Sequence, residues 1–226
     1  MVRKLHFDPL HMREEIAQAA ARMVAEDGVD YSKAKRKAAQ HLLGHARIPA
    51  DLLPSNEQIE EKIREYQALF QSDSQPARLR QLRLIALDWM QRLARFNPYL
   101  TGAVLNGTAG EHSDVHLQVF CDNVKEVAIY LLDAHIQYEV SETRHFAGRD
   151  IAIETLSFLW PIPGDDAVGI HIALYNTDDL RGAVRADARG RLARAHAQAV
   201  QALLNEDKAE DQAPSSAAPS AAPSSN

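Results

Sequence analysis

One cysteine, Cys121, occurs among 226 residues. A lone thiol excludes an internal disulfide framework and a thiolate zinc ribbon, and it suits a reducing cytosol. No apolar run approaches the roughly 18 residues that a membrane span needs. The opening "MVRKLHFDPLHMREE" lacks the apolar core of a signal peptide, so the expectation is a cytoplasmic protein with no membrane partner. Excess positive charge is missing too: the formal net charge is −6, which gives bulk charge no part in holding nucleic acid or lipid. Two catalytic signatures are also absent. No Gly-x-x-x-x-Gly-Lys-Ser/Thr occurs, which excludes ATP use through a P-loop. Ser113, the serine beside His112, lacks the Gly-x-Ser-x-Gly elbow, which argues against a hydrolase triad. Trp89 and Trp160 have no repeated aromatic spacing and read as core residues rather than as a base-stacking platform.

What is present divides in two. Up to about residue 97 the apolar residues follow helical spacing. Asp8-Pro9 supplies a cap and a first-turn proline for a helix that Gly28 ends, with Ile16, Ala19, Ala20 and Met23 inward. A second helix is expected from about Tyr31 to Leu43. Ser55 with Gln58 forms a capping-box pattern ahead of Ile59, Ile63, Tyr66 and Phe70, and a fourth helix spans about Pro76 to Phe96. After Pro98 the period switches to alternation. "YLTGAVLNG" and "DVHLQVFCD" read as strands, "NVKEVAIYLLDAH" as a helix with Val124, Val127, Ala128, Leu131 and Leu132 inward. Three strand candidates follow, then a helix from about Leu192 to Leu204. The expected class is α+β: a helical N-terminal region over 1–97, then a mixed sheet with flanking helices over 98–204. Residues 205–226, "NEDKAEDQAPSSAAPSAAPSSN", carry no large apolar residue and read as a disordered Ala/Pro/Ser-rich tail.

The stretch "LNGTAGEHSDVHLQVF" (105–120), the helix after it and the late strand "VGIHIALY" together resemble the polymerase-beta-like nucleotidyltransferase superfamily. More narrowly, the chain is similar to a proteobacterial nucleotidyltransferase-like family in which a helix like "YSKAKRKAAQHLLG" precedes a strand ending in Gly-Thr and then Glu-His-Ser. The resemblance covers about residues 15–204. It implies a Gly-Thr turn that lets backbone amides and a hydroxyl approach a triphosphate. It also implies carboxylates at alternate positions on the next strand, with a third on a later strand, that hold magnesium for in-line nucleotidyl transfer. Gly107 and Thr108 match the turn, Ser113 lies beside it, and Asp114 matches the first carboxylate. His116 stands at the second carboxylate position and His171 where the third is expected, while only five residues separate Thr108 from Asp114. Imidazole suits magnesium poorly because that ion prefers hard oxygen donors.

Three functional expectations follow. The first is a nucleotidyltransferase-like protein with a degenerate metal-ligand motif that binds a nucleotide, nucleic acid or protein partner with weak or no nucleotidyl transfer. In it Asp114 would be catalytic, and Gly107, Thr108 and Ser113 would touch nucleotide. The second is a metal enzyme in which Asp114, His116 and His171 hold zinc or manganese rather than magnesium. The third is a non-catalytic interaction protein. Phosphate or nucleic-acid contacts are assigned to Lys33, Lys35, Arg36 and Lys37 on the second helix and to Arg185 in an arginine-rich run with Arg181, Arg189, Arg191 and Arg194. The alternative for the lysine helix is a solvated face neutralised by the acidic residues of "EEKIREY".

Overall fold

The structure is a computed structural model of the chain, and it describes residues 8–44, 48–183 and 193–211. Arg185, Arg189 and Arg191 lie outside the described residues.

Four helices form the N-terminal half: α1 (Pro9–Asp27), α2 (Tyr31–Leu43), α3 (Asn56–Phe70) and α4 (Gln75–Arg92). Their ends follow from their caps. Asp8 accepts the Leu10 amide at 3.0 Å, Asp30 accepts those of Ser32 and Lys33, and Ser55 with Gln58 completes a reciprocal capping box. Gly28 closes α1 in the left-handed region at φ 64°, its amide bonded to the Val24 carbonyl at 3.1 Å. Helices α1, α2 and α3 pack on one another around Ile16, Ala20, Ala38, Ile59 and Ile63, and the small alanines permit close approach. Phe70, expected inward, is 70% exposed; Gln67 takes the buried position instead because it reaches across to the sheet region.

The C-terminal half contains five strands: β1 (Pro98–Thr101), β2 (Val115–Phe120), β3 (Glu139–Arg144), β4 (Ala152–Trp160) and β5 (Val168–Tyr175). They form one sheet in the order β1-β2-β5-β4-β3, with β2 and β5 parallel and every other pair antiparallel. Helix α5 (Gly102–Asn106) follows β1, α6 (Lys125–Asp133) joins β2 to β3, α7 (Leu180–Ala183) follows β5, and α8 (Ala197–Asp211) returns against α4. The mixed α+β class expected from the sequence is the class found.

One face of the sheet carries Leu117, Val119, Leu156, Phe158, Ile170 and Ile172 into a core shared with Leu82, Trp89 and Met90 of α4 and Val200 and Leu204 of α8. Trp89 is fully buried, 4.8 Å from the Phe158 ring and edge-on to Trp160 at 5.0 Å. Burying such aromatic area contributes about 1.5–3 kcal/mol per side chain. The opposite face is divided: Phe120, Ile153 and Tyr175 form a smaller apolar cluster with Tyr99 and Phe146 at one end, and a polar row crosses it at the other. Register places Thr101, His116, His171, Ser157 and Glu139 in a single row across all five strands, so all five side chains leave the same side of the sheet.

Three further sequence expectations need correction. "AVLN", read as part of a strand, is the helical turn α5, whose Ala103 carbonyl takes the amides of Gly107, Thr108 and Ala109 while Val104 is buried under α4. Leu132, expected inward, is 58% exposed on α6. Helix α8 continues to Asp211, seven residues into the stretch read as tail, because Asp207 is held by Arg83 of α4 through two bonds of 2.7 and 2.9 Å. No helix among the described residues is long and apolar enough to cross a membrane.

Candidate functional site

The helical half docks on the loop between α5 and β2, and that docking decides what the Gly-Thr turn can do. Gln75 donates to the carbonyls of Gly107 and Ala109 at 3.1 and 2.8 Å, Gln67 donates to that of Thr108 at 2.9 Å, and Arg64 to that of Asn106 at 3.1 Å. Thr108 is buried, its hydroxyl 2.7 Å from Asn106 Oδ1 and 3.3 Å from the Tyr31 hydroxyl. The Gly107 and Thr108 amides both donate to Ala103. The donors that the resemblance assigns to a triphosphate are thus bonded inside the chain. The Ser113 hydroxyl likewise accepts the Gly110 amide at 3.0 Å, closing the turn.

Asp114, at the head of β2, has both carboxylate oxygens engaged. Oδ1 accepts the Gly169 amide at 2.9 Å and Oδ2 lies 3.1 Å from His171 Nε2. The His171 hydrogen bond first, and the Gly169 amide with it, hold the Asp114 carboxyl below the usual carboxylate range against the opposing effect of burial. An ionised carboxylate only accepts, so Nε2 of His171 donates to Asp114, and in the tautomer that leaves Nδ1 bare this nitrogen accepts from Ser157 Oγ at 2.9 Å. The side-chain order is therefore Ser157, His171, Asp114, anchored by Gly169. A β-carbon on Gly169 would lie 2.6 Å from Asp114 Cγ, so only glycine leaves the carboxylate its place.

His116 completes the cluster by stacking on His171, with ring centroids 4.7 Å apart and planes 15° from parallel. Desolvation first, and the neighbouring His171 second, push its pKa down to about 4, while Asp114 and Asp30 pull it upward. His116 is exposed on the sheet face, so water screens much of that penalty. The sign of the linkage is clear. An unfolded His116 near its ordinary 6.5 binds a proton that the folded one refuses. Its stabilising contribution is complete above pH 6.5 and is lost as pH falls toward 4. Asp114, with its lowered pKa, loses its own contribution only at still lower pH. The urea midpoint is expected to drop between pH 7 and pH 5, and His116→Gln to flatten that drop. Equal slopes in the two proteins would refute this account.

Asp114, His116 and His171 thus come together, but not as ligands around a point. Imidazole lone pairs lie in the ring plane, so two face-to-face rings direct them along parallel lines, and His171 has both nitrogens bonded. No group of three or more His, Cys, Asp and Glu side chains among the described residues is placed to hold a metal ion. Magnesium, which the resemblance implies, does not fit this set: one carboxylate faces two imidazoles, and both its oxygens are in use.

Beside Asp114 a cavity of about 560 Å³ opens between α4, the 110–113 turn and the loop before β5. Gln75, Arg78, Ser113, Asp114 and Asp165 are on its wall, and Arg78 is paired with Asp165 at 2.8 Å. On α2, Lys33, Arg36 and Lys37 are exposed at helical spacing. Lys35 is partly buried near Glu57, and that burial lowers its pKa. The glutamates of "EEKIREY" pair locally, Glu65 with Lys62 and Glu60 with Arg64. Arg194 turns onto the sheet, donating to Gln118 and lying 4.0 Å over the Phe146 ring. Burial pushes the Cys121 thiol up, away from nucleophilic use. Arg181 is exposed on α7.

No protein-family model matches the chain, and no curated protein matches it. Among solved structures it is similar to Cid1. The complex with the short product ApU gives a TM-score of 0.32 at 16% identity over 46% of this chain and 32% of that one. The complex with the UTP analogue UMPNPP gives 0.33 at 15% over 53% and 37%. The MgGTP-bound Cid1 poly(U) polymerase gives 0.32 at 15% over 53% and 38%. The matching part spans 32–38% of those chains, and a likeness of this size carries no argument about chemistry.

Proposed function

We propose that this chain is a nucleotidyltransferase-like protein that binds a nucleotide-sized ligand in the cavity beside Asp114 with weak or no magnesium-dependent nucleotidyl transfer. The observation that carries the reading is the state of Asp114. The one carboxylate matching the superfamily motif is bonded to Gly169 and His171, and imidazoles stand where further carboxylates would hold metal. The internal bonding of the Gly107–Thr108 turn supports the same loss of phosphate grip. At about 560 Å³ the cavity is in the size range of small-molecule sites, and Arg78, Gln75 and Ser113 make its wall polar. The exposed Lys33, Arg36 and Lys37 stripe supports a nucleic-acid partner as a secondary contact.

Differential scanning fluorimetry with ATP, CTP and GTP, each with and without magnesium, tests this. The expected result is a rise in melting temperature with a nucleotide that magnesium does not enlarge, and no labelled-nucleotide transfer beyond that of Asp114→Ala. Magnesium-dependent transfer abolished by Asp114→Ala would overturn it. A rise with zinc or manganese alone, lost in His171→Ala, would point instead to the metal enzyme.

A further inference from the structure

The polar row on the sheet face contains a serine, Ser157, that neither the nucleotide reading nor the metal reading uses. Ser157 on β4 and His171 on β5 are directly paired across the sheet, and Ser157 Oγ meets His171 Nδ1 at 2.9 Å. His171 Nε2 meets Asp114 Oδ2 at 3.1 Å, and Asp114 is itself fixed by the Gly169 amide. A hydroxyl within hydrogen-bond reach of a base, with the base oriented by a third group, is the geometric signature of an activated nucleophile. Such sets are recognised by role and geometry rather than by chain position. The ring is held on three sides: by Ser157, by Asp114 and by the stacked His116. Ser157 and His171 sit on strands and Asp114 immediately precedes β2, and Ser157 and Asp114 both keep some solvent contact. Beside them Leu159, two residues beyond Ser157 on the same face and opposite Gly169, is 74% exposed and offers an apolar contact.

We infer that Ser157 is a nucleophile, with His171 as its general base and Asp114 as the positioning residue, toward activated carboxylic esters carrying a small apolar acyl group. Ser157 Oγ attacks the ester carbonyl carbon and forms the new C–O bond. Its proton passes to His171 Nδ1 and from there to the departing alkoxide as the original ester C–O bond breaks. Water then cleaves the acyl-serine by the same route in reverse, with His171 taking the water proton and returning it to Ser157. The acyl group lies along Leu159. None of this depends on nucleotide binding, which is read by a separate measurement.

An alkyl fluorophosphonate is the probe. Its phosphorus takes the place of the carbonyl carbon, the Oγ–P bond forms as P–F breaks, and the adduct is located by peptide mass mapping. The expected result is an adduct on Ser157 of the native chain and none there after urea denaturation, which requires no variant to fold. His171→Gln is expected to slow labelling by about 100-fold, the scale of a lost general base. Ser157→Ala removes the adduct, and its fold is checked by circular dichroism. Asp114→Asn is expected to slow labelling and Asp114→Glu to recover part of the rate, as a positioning residue requires. Ser157→Ala and His171→Gln are expected to lose the burst with 4-nitrophenyl acetate. An unlabelled Ser157 in the native chain, labelling that is equal after denaturation, or an unchanged rate in His171→Gln would each overturn the inference and leave a purely structural hydrogen-bond chain.

Discussion

Replacing Asp207 with alanine is expected to lower the unfolding free energy by about 2–3 kcal/mol and the melting temperature by roughly 8 °C. Arg83 is the reason. Its side chain is only 7% exposed, its Nε donates to the Val104 carbonyl at 3.2 Å, and Asp207 neutralises it through a fork of 2.7 and 2.9 Å. Removing one partner of a buried pair leaves the other charge desolvated and uncompensated, which costs more than the pair contributes. The figure is set below the fully buried case because Asp207 is 26% exposed, so water takes over part of its role. Arg83→Met is expected to cost less, since it removes the buried charge and leaves the carboxylate at the surface. Urea denaturation of both variants checks the order, and hydrogen exchange is expected to rise along the end of α8 in Asp207→Ala. A loss under about 0.5 kcal/mol for Asp207→Ala, the range of ordinary surface changes, would sink the account.

That ion pair also shows why the end of α8 was hard to read. "NEDKAED" has no large apolar residue to bury, and composition alone marks it as tail. Its order comes from a single charge 124 positions earlier in the sequence, which no local pattern reveals. The helices of the first half were legible for the opposite reason. The ends of α1 and the start of α3 are set by caps within three or four residues of the boundary, so Asp8, Ser55 and Gly28 announce them locally. Where the sequence misled, a local pattern met a tertiary demand. "AVLN" alternates well enough for a strand, yet the chain needs a turn there to bring Gly107 under Gln75. Phe70 and Leu132 fit an apolar stripe, but the stripes of α3 and α6 are narrower than the periodicity suggests.

The candidate site was half legible. Asp114, His116 and His171 could be named because two short strands carry them with a small-residue turn in front. Their arrangement could not, since stacked rings and engaged lone pairs depend on β2 pairing with β5 in one particular register. Ser157 was invisible for the same reason: "IETLSFLW" gives no hint that its serine meets a histidine on the neighbouring strand. Gly169 did leave a signal. A glycine inside an otherwise apolar strand weakens it, and its presence indicates that another group comes close.

That glycine gives the second large effect. Gly169→Ala is expected to cost about 2 kcal/mol, the scale of forcing an extra carbon into a filled space. The backbone at Gly169 has no left-handed φ, so alanine is not strained by its conformation and the whole penalty comes from contact. A methyl group there would sit 2.6 Å from Asp114 Cγ and 2.7 Å from each carboxylate oxygen. The carboxylate must swing away, giving up the Gly169 amide and then His171, whose ring loses the partner that fixes its Nε2 proton. Asp114→Ala empties the same space by another route. On that background the alanine at 169 has nothing to strike, so the double variant is expected to be scarcely less stable than Asp114→Ala alone. The coupling between the two sites is then about 1–2 kcal/mol, within the range for residues in direct contact. Chemical denaturation of the four proteins measures it. Strict additivity would mean that Asp114 does not occupy the space above Gly169, and the hydrogen-bonded order Asp114, His171, Ser157 would lose its anchor.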